Sequence, residues 1–383
     1  MEFKSPLHVG SPNIGDRARF HDYTEAMFDR QWLTNHGELV RQFEKELENY
    51  LGVKHCIAMC NGTVALEIAI RALGLTGEVI VPSLTFIATA HALQWQEITP
   101  VFCDVDPDTL CIDPKQIEQH ITPRTTGIIG VHVYGHCCNV DALQELADAH
   151  QLKLMFDAAH AFGNTYCGRR IGNFGECEIF SFHATKFFNS FEGGAVVTND
   201  DALAEKIRFM QNFGFADEDR VEHIGVNGKM TEVCAAMGLT NLQSLDDFRQ
   251  INRINFEAYE RGLAEIEGLR LVRYYDGAAD SDDWKQSNKQ YVVVEVIDTF
   301  PLSRDELVQR LGDENVLARR YFWPGCHKME PYKTLQPDAG SQLPVTESFL
   351  ANVILFPTGT SINPAIINQI LSLINRWIRN KFS

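Results

Sequence analysis

Positive charge is what this chain is short of: 34 Lys and Arg stand against 51 Asp and Glu, a formal charge of −17 at pH 7. The mean field therefore repels phosphate, which excludes general binding to nucleic acid or to an anionic membrane surface. An anionic small substrate would need a local cluster of cations. No run approaches the roughly twenty consecutive apolar residues of a membrane-spanning helix. The start, Met1-Glu-Phe-Lys-Ser-Pro, lacks the charged-then-apolar pattern of an export signal, so the cytoplasm is the expected compartment. There is no Walker-type Gly-Lys-Thr and no Gly-x-Gly-x-x-Gly, which argues against nucleoside triphosphates and dinucleotides. The ten cysteines follow no disulfide framework and are expected to be reduced thiols. His132, His136, Cys137 and Cys138 come nearest to a metal pattern, but adjacent cysteines fit ligand spacing poorly. That stretch reads as a strand end and turn, and no metal is expected.

What is present suits a doubly wound α/β protein. A length of 383 residues accommodates one large domain and a smaller companion. An irregular arm holding Pro6, Gly10, Pro12 and Gly15 leads to a helix over Glu38–Leu51, with Leu39, Phe43, Leu47 and Leu51 at helical spacing and Gly52 as its stop. The buried run Cys56–Met59 is followed by Asn61-Gly62-Thr63 and an Ala/Leu/Ile helix. This is either a phosphate seat at a helix start, with Gly62 permitting close approach, or a plain strand-turn-helix with Thr63 as N-cap. Strand candidates Glu78–Pro82, Pro100–Val105, Gly127–Val133, Leu152–Phe156, Glu178–Phe182 and Ala195–Thr198 alternate with helical segments. Asp104 and Asp106 mark a strand end and turn.

The stretch Glu178 to Gly194 draws most attention. An apolar strand there empties into a polar turn bearing Lys186. A lone lysine is usually a solvated charge. Upstream, however, Leu152–Phe156 ends in Asp157, with His160 just beyond. A carboxylate and an amine at neighbouring strand ends suit a lysine in Schiff-base linkage to pyridoxal phosphate, with the aspartate keeping the pyridine nitrogen protonated. Asn61–Thr63, Thr85-Phe86, Asp157–His160 and His183–Lys186 all fall at carboxyl ends of strands, where open α/β sheets bind ligands. Phe86 suits a ring lying on an aromatic cofactor, although core packing is the commoner fate of a Phe.

From Thr231 one long helical region is expected, preceded by Gly225–Met230, a glycine-rich loop that presents Asn227. A boundary near 262 divides a large domain with its arm, 1–262, from a small α+β domain, 263–383. The latter has strands at Leu269–Arg273 and Gln290–Val296, a helix at Ser303–Leu311, and a last helix with Ile366, Ile370, Leu373, Ile374 and Trp377 on one face. Asp276–Asp283 reads as an exposed loop. The cluster Arg319–Lys328 mixes cations with aromatics. It is either a contact region for an anionic or sugar-bearing substrate, through Tyr321, His327 and Lys328, or a solvated strand edge.

Taken together, Cys60-Asn-Gly-Thr-Val-Ala-Leu66, Pro82-Ser-Leu-Thr-Phe-Ile-Ala-Thr89, Val131-His-Val-Tyr-Gly135, Asp157-Ala-Ala-His-Ala-Phe-Gly163, Ser181-Phe-His-Ala-Thr-Lys186, Glu192-Gly-Gly194 and Gly225–Met230 resemble the DegT/DnrJ/EryC1/StrS sugar aminotransferases. The resemblance runs from about residue 10 to the C-terminus. It implies the aspartate aminotransferase-like fold (fold type I), a three-layer sandwich on a mostly parallel sheet, in a homodimer with active sites at the interface. It implies pyridoxal 5'-phosphate on Lys186, Asp157 at the pyridine nitrogen, Phe86 on the ring and His160 beside the ring and its phenolic oxygen. The amides of Gly62 and Thr63, with Ser181, would surround the phosphate, and Asn227 would reach the phosphate in the neighbouring subunit. His160 stands where many members carry Gln, and Phe191 where Gly is frequent. L-Glutamate would give its amino group to the cofactor, forming pyridoxamine 5'-phosphate, which passes it to a keto sugar in ping-pong fashion. Phe182–Phe187 with Asn212-Phe-Gly-Phe215 resembles enzymes that aminate C4 of a dTDP-4-keto-6-deoxyhexose, with the glucose configuration favoured. A 3-aminotransferase and a non-catalytic cofactor-binding regulator are the alternatives, while Lys186 argues against the related 3-dehydratases, which carry His there.

Overall fold

The Val- and Ile-rich runs assemble into one seven-stranded sheet. A computed structural model describes residues 2–273 and 287–382, so the loop expected at Asp276–Asp283 lies outside the described residues. The strands are β1 (His55–Met59), β2 (Glu78–Pro82), β3 (Thr99–Cys103), β4 (Thr125–Val131), β5 (Lys153–Asp157), β6 (Cys177–Ser181) and β7 (Gly194–Thr198). Their spatial order is β1-β7-β6-β5-β4-β2-β3. β2 to β6 pair in parallel, and β7 runs antiparallel to both β1 and β6. β4 ends two residues earlier than its apolar run suggests, because Val133–Gly135 coils into a helical turn with Tyr134 at φ 56°.

Side chains alternate across this sheet into two separate cores. Cys56, Ala58 and Ile80 enter one, whereas Ile57, Met59, Val79 and Val81 enter the other. Helices on both faces complete three layers, as parallel strands buried on both sides require. Among them are α1 (Arg17–Arg30), α2 (Glu38–Leu51), α3 (Gly62–Leu73) and α4 (Ile87–Gln94). Helix α2 has the expected bounds and stops at Gly52, whose φ of 69° suits glycine. The N-cap of α3 corrects the sequence reading: Asn61, not Thr63, is the extended residue, and its Oδ1 accepts from Val64 N–H at 2.8 Å. Thr63 already lies within the first turn. The helical region after Thr231 is two helices, Glu232–Leu242 and Leu245–Leu263, interrupted at Gln243-Ser244.

The C-terminal part builds an antiparallel sheet of β8 (Leu269–Leu271), β9 (Val292–Val296) and β10 (Val353–Phe356). Helices Arg304–Asp313 and Pro364–Phe382 contribute to the core against it, the first opened by a Ser303/Glu306 capping box. The expected boundary at 262 falls in the last turn of Leu245–Leu263. Contacts cross it in several places, among them a shared core and a strand pairing. Val293, Phe349 and Leu355 share a core with Phe156 and Phe180, and the N-terminal arm, expected to travel with the large part, pairs Leu7-His8 in parallel with Val316-Leu317. Among the described residues no helix is long and apolar enough to cross a membrane.

Candidate active site

The carboxyl ends of β1, β2, β5 and β6 open onto one cavity of about 340 Å³, closed on its far side by Tyr291, Arg319, Tyr321 and Phe322 from the C-terminal part. Gly62, Thr63, Phe86, Asp157, His160, Ser181, Lys186 and Tyr321 all line it. They come from turns spread over most of the chain, and the parallel register of the strands brings them together.

Asp157 ends β5 and is nearly buried. Its Oδ2 accepts from Thr89 Oγ1 at 2.8 Å and its Oδ1 from Ala159 N–H at 3.1 Å. Because Thr89 donates to Asp157, its oxygen is left to accept from Thr85 Oγ1, 2.8 Å away. Burial pushes the Asp157 carboxyl up, against the pull of those two bonds and of the Lys186 and His132 charges. Lys186 sits on the turn after β6, where its N–H donates to His183 O at 2.8 Å. Although the side chain remains partly accessible from the cavity, surrounding protein desolvates the amine and lowers its pKa to about 8, with Asp157 opposing.

His160 has its protonation set by the backbone. Tyr134 N–H donates to its Nδ1 at 3.2 Å, which assigns the ring proton to Nε2. Burial and the Lys186 charge both disfavour a second proton. The ring lies parallel to Phe322, 5.5 Å between centroids, and Phe322 is also 6.2 Å from Phe86. Phe86 is 56% exposed, a large aromatic face turned to the cavity.

At the start of α3 the Gly62 and Thr63 N–H groups have no protein partner among the described residues, since Asn61 serves Val64. Two open donors at the positive end of a 12-residue helix make an anion seat. A Cβ on Gly62 would stand 2.9 Å from Ser181 Cβ, so glycine is what lets the Ser181 hydroxyl approach that seat.

Three expected residues do not line the cavity. His327 is buried between Ser83 and Glu347, and Lys328 pairs with Glu347 at the surface. Gly325, with φ 95°, turns the chain between Tyr321-Phe322 and His327, so one sequence cluster is divided between the cavity and the interior. Asn227 is exposed on the 225–230 loop, which bridges to Asn212 and to Met59. Sequence reading missed Phe322 and Tyr291, which no local pattern marks. It also missed Thr89, whose spacing of four from Thr85 was visible. His183 and Glu192 stand at the rim, 3.5 Å apart. Phe191, where glycine had been noted as frequent, has φ 65°.

Residues 15–375 match the DegT/DnrJ/EryC1/StrS aminotransferase family. The chain is 38% identical to the dTDP-4-amino-4,6-dideoxy-D-glucose transaminase of Shigella dysenteriae, over 97% of this chain and 99% of that one. Identity to the Escherichia coli protein of the same name is 35%, covering 96% and 98%. The crystal structure of DesI in the presence of its TDP-sugar product superposes with a TM-score of 0.91 at 46% identity, covering 98% of this chain and 94% of that one. A match of this extent, on a fold whose strand ends carry the motif residues into one cavity, makes this chain a member of the DegT/DnrJ/EryC1/StrS aminotransferases.

Proposed function

We infer that the chain transfers the amino group of L-glutamate to C4 of a dTDP-4-keto-6-deoxyhexose, giving a dTDP-4-amino-4,6-dideoxyhexose of glucose configuration, with pyridoxal 5'-phosphate as cofactor. The observation that carries the reading is one cavity holding a lysine of lowered pKa, a buried aspartate and an open helix N-terminus. The choice of sugar rests on the names of the two transaminase relatives and on the TDP-sugar product present with DesI.

The residues fit the cofactor. Gly62 and Thr63 N–H and the Ser181 hydroxyl would take its phosphate, and Phe86 would cover one face of its ring. The Asp157 carboxylate would hold a proton on the pyridine nitrogen, in turn oriented by Thr89 and Ala159. His160, with its proton on Nε2, would donate to the phenolic oxygen where other members use an amide. The bound cofactor supplies a carbonyl that captures amines and a ring that withdraws electrons from the bond being broken. Lys186 Nζ would hold and move the proton at the donor's α-carbon. An amine with a pKa of about 8 does this near neutral pH far better than an ordinary lysine. Tyr321 and Arg319, on the wall given by the C-terminal part, are left for the substrates.

A homodimer completes the reading. Residues 212–227 fold back on themselves through the bridges Asn212–Asn227 and Phe215–Val221. Phe213, Phe215, Val221, Ile224 and Val226 are exposed along this arm, with Ile224 at 74%. A second copy would cover that apolar surface and receive Asn227.

The test is a visible spectrum of the cofactor-loaded protein, followed on adding L-glutamate and then dTDP-4-keto-6-deoxyglucose. The expected result is loss of the pyridoxal absorbance, its return with the keto sugar, and a new C–N bond at C4 by NMR. A bond at C3, or a spectrum indifferent to glutamate, would refute the proposal.

A further inference from the structure

The C-terminal part is fastened to the active site by a relay that is buried at Ser83 and His327 and reaches the surface at Glu347. Ser83, with no exposed surface, opens the Ser83–Phe86 turn after β2. His327 Nδ1 lies 2.7 Å from Ser83 Oγ, and its Nε2 lies 2.7 Å from Glu347 Oε1. The His327 backbone N–H donates to the same Ser83 Oγ at 3.1 Å, and Cys326 N–H to Ser83 O at 3.1 Å. Since Ser83 Oγ accepts from that N–H, its own proton is free to go to Nδ1, leaving Nε2–H to donate to the carboxylate. One arrangement of protons satisfies every group. Ser, His and a carboxylate in line have the composition of a hydrolytic triad, but Ser83 is sealed from solvent and already engaged, so nucleophilic chemistry is excluded.

The relay lies between two parts of the cavity wall. Three residues after Ser83 comes Phe86, and five residues before His327 comes Phe322, whose ring is 6.2 Å from that of Phe86. Thr85, between Ser83 and Phe86, accepts from Cys326 Sγ at 3.5 Å through its carbonyl and leads by way of Thr89 to Asp157. Fit around His327 is close: a Cβ on Gly325 would stand 2.9 Å from its Cε1.

We propose that His327 is a positioning residue for transamination, which acts through Ser83 to fix the separation of Phe86 and Phe322 and touches neither substrate nor cofactor. The proposal rests on the aminotransferase reading of the cavity. Its test uses the full-length, cofactor-loaded protein with Ser83→Ala, His327→Ala, the double variant, and His327→Asn, which keeps a polar atom near the place of Nδ1.

Each single alanine variant should lower kcat/KM by about tenfold, the effect of one or two lost hydrogen bonds. The double variant should be no worse than the poorer single one, because both break the same link. His327→Asn should recover most of the loss. Visible circular dichroism of the bound cofactor, which reports the tilt of its ring between the aromatic walls, should change in both alanine variants while borohydride still fixes the cofactor to Lys186. Lowered thermal stability with kcat/KM within twofold and an unaltered dichroic band would make the relay merely structural and overturn the proposal. So would a silent Ser83→Ala beside an impaired His327→Ala. If His327→Ala fails to fold, Ser83→Ala and His327→Asn decide by the same readings. A wild-type chain that borohydride does not label at Lys186 would refute the aminotransferase reading, and the proposal with it. A labelled wild type with silent variants refutes the proposal alone.

Discussion

Lys186 and Asp157 each lose charge to burial and regain part of it from the other. Desolvation is the larger influence on both, so the amine titrates lower and the carboxyl higher than in water. The lysine shift has a consequence for stability. Between about pH 8 and the ordinary lysine value of 10.5, the unfolded chain binds more protons at this position than the folded one. The contribution of Lys186 to stability therefore grows as pH rises through that window. Urea unfolding of cofactor-free protein at pH 7.5 and pH 10 should show Lys186→Met gaining on wild type at the lower pH and losing that advantage at the higher. An advantage independent of pH would contradict the lowered pKa. For Asp157→Asn, which preserves shape but not charge, kcat/KM should fall by about 10²–10⁴-fold, the usual scale for removing a group that supports proton transfer. Borohydride labelling of Lys186 should continue, which separates loss of chemistry from loss of cofactor.

Several helix and strand ends are completed by residues remote in sequence. Helix α2 has Gly37 as its N-cap, which offers no side chain; the buried Glu232 instead accepts from Leu39 N–H at 2.9 Å and Val40 N–H at 3.0 Å. A Cβ on Gly37 would lie 2.5 Å from that carboxyl carbon, so glycine is required for the cap to reach. Asp104, read from sequence as the end of a strand, accepts from Val345 N–H, Thr346 N–H and Thr346 Oγ1, and so caps helix Pro344–Asn352 of the C-terminal part. Asp104→Ala should cost about 2 kcal/mol, near the top of the range for a lost cap because buried donors are orphaned as well. A shift in the urea midpoint at unchanged slope would report it. The edge strand β1 is blunted in the same way. Glu44 accepts from Ala58 N–H at 2.9 Å, and Gln211 donates to the Ala58 carbonyl. Side chains there occupy the positions where a foreign strand would pair.

On the scale of the whole molecule, a dimer that shares Asn227 between subunits makes its own prediction. Lys186→Ala and Asn227→Ala proteins, each impaired alone, should regain activity when unfolded and refolded together. Half the dimers would then be mixed and half the sites in those intact, so about a quarter of wild-type activity is expected. No recovery would place Asn227 in its own subunit's site or outside any site. Ile224→Asp, which puts charge on the exposed arm, should shift the sedimentation coefficient towards the monomer. Much of this architecture was legible in the sequence because its cause is local. Helical spacing marks α2, unbroken apolar runs mark β2 and β5, and a polar turn at the end of each strand marks Gly62, Asp157 and Lys186, since strands covered on both faces are apolar over most of their length and carry polar groups mainly towards their ends. What local pattern could not decide was which residues meet across the fold. Phe322 came to stack on His160, and His327 left its neighbours for Ser83, because a glycine with positive φ turned the chain and two cores closed around it. Composition and periodicity thus determined the sheet and the strand ends that hold the chemistry, whereas the far wall of the cavity and the remote caps exist only through long-range packing, which no window of neighbouring residues contains.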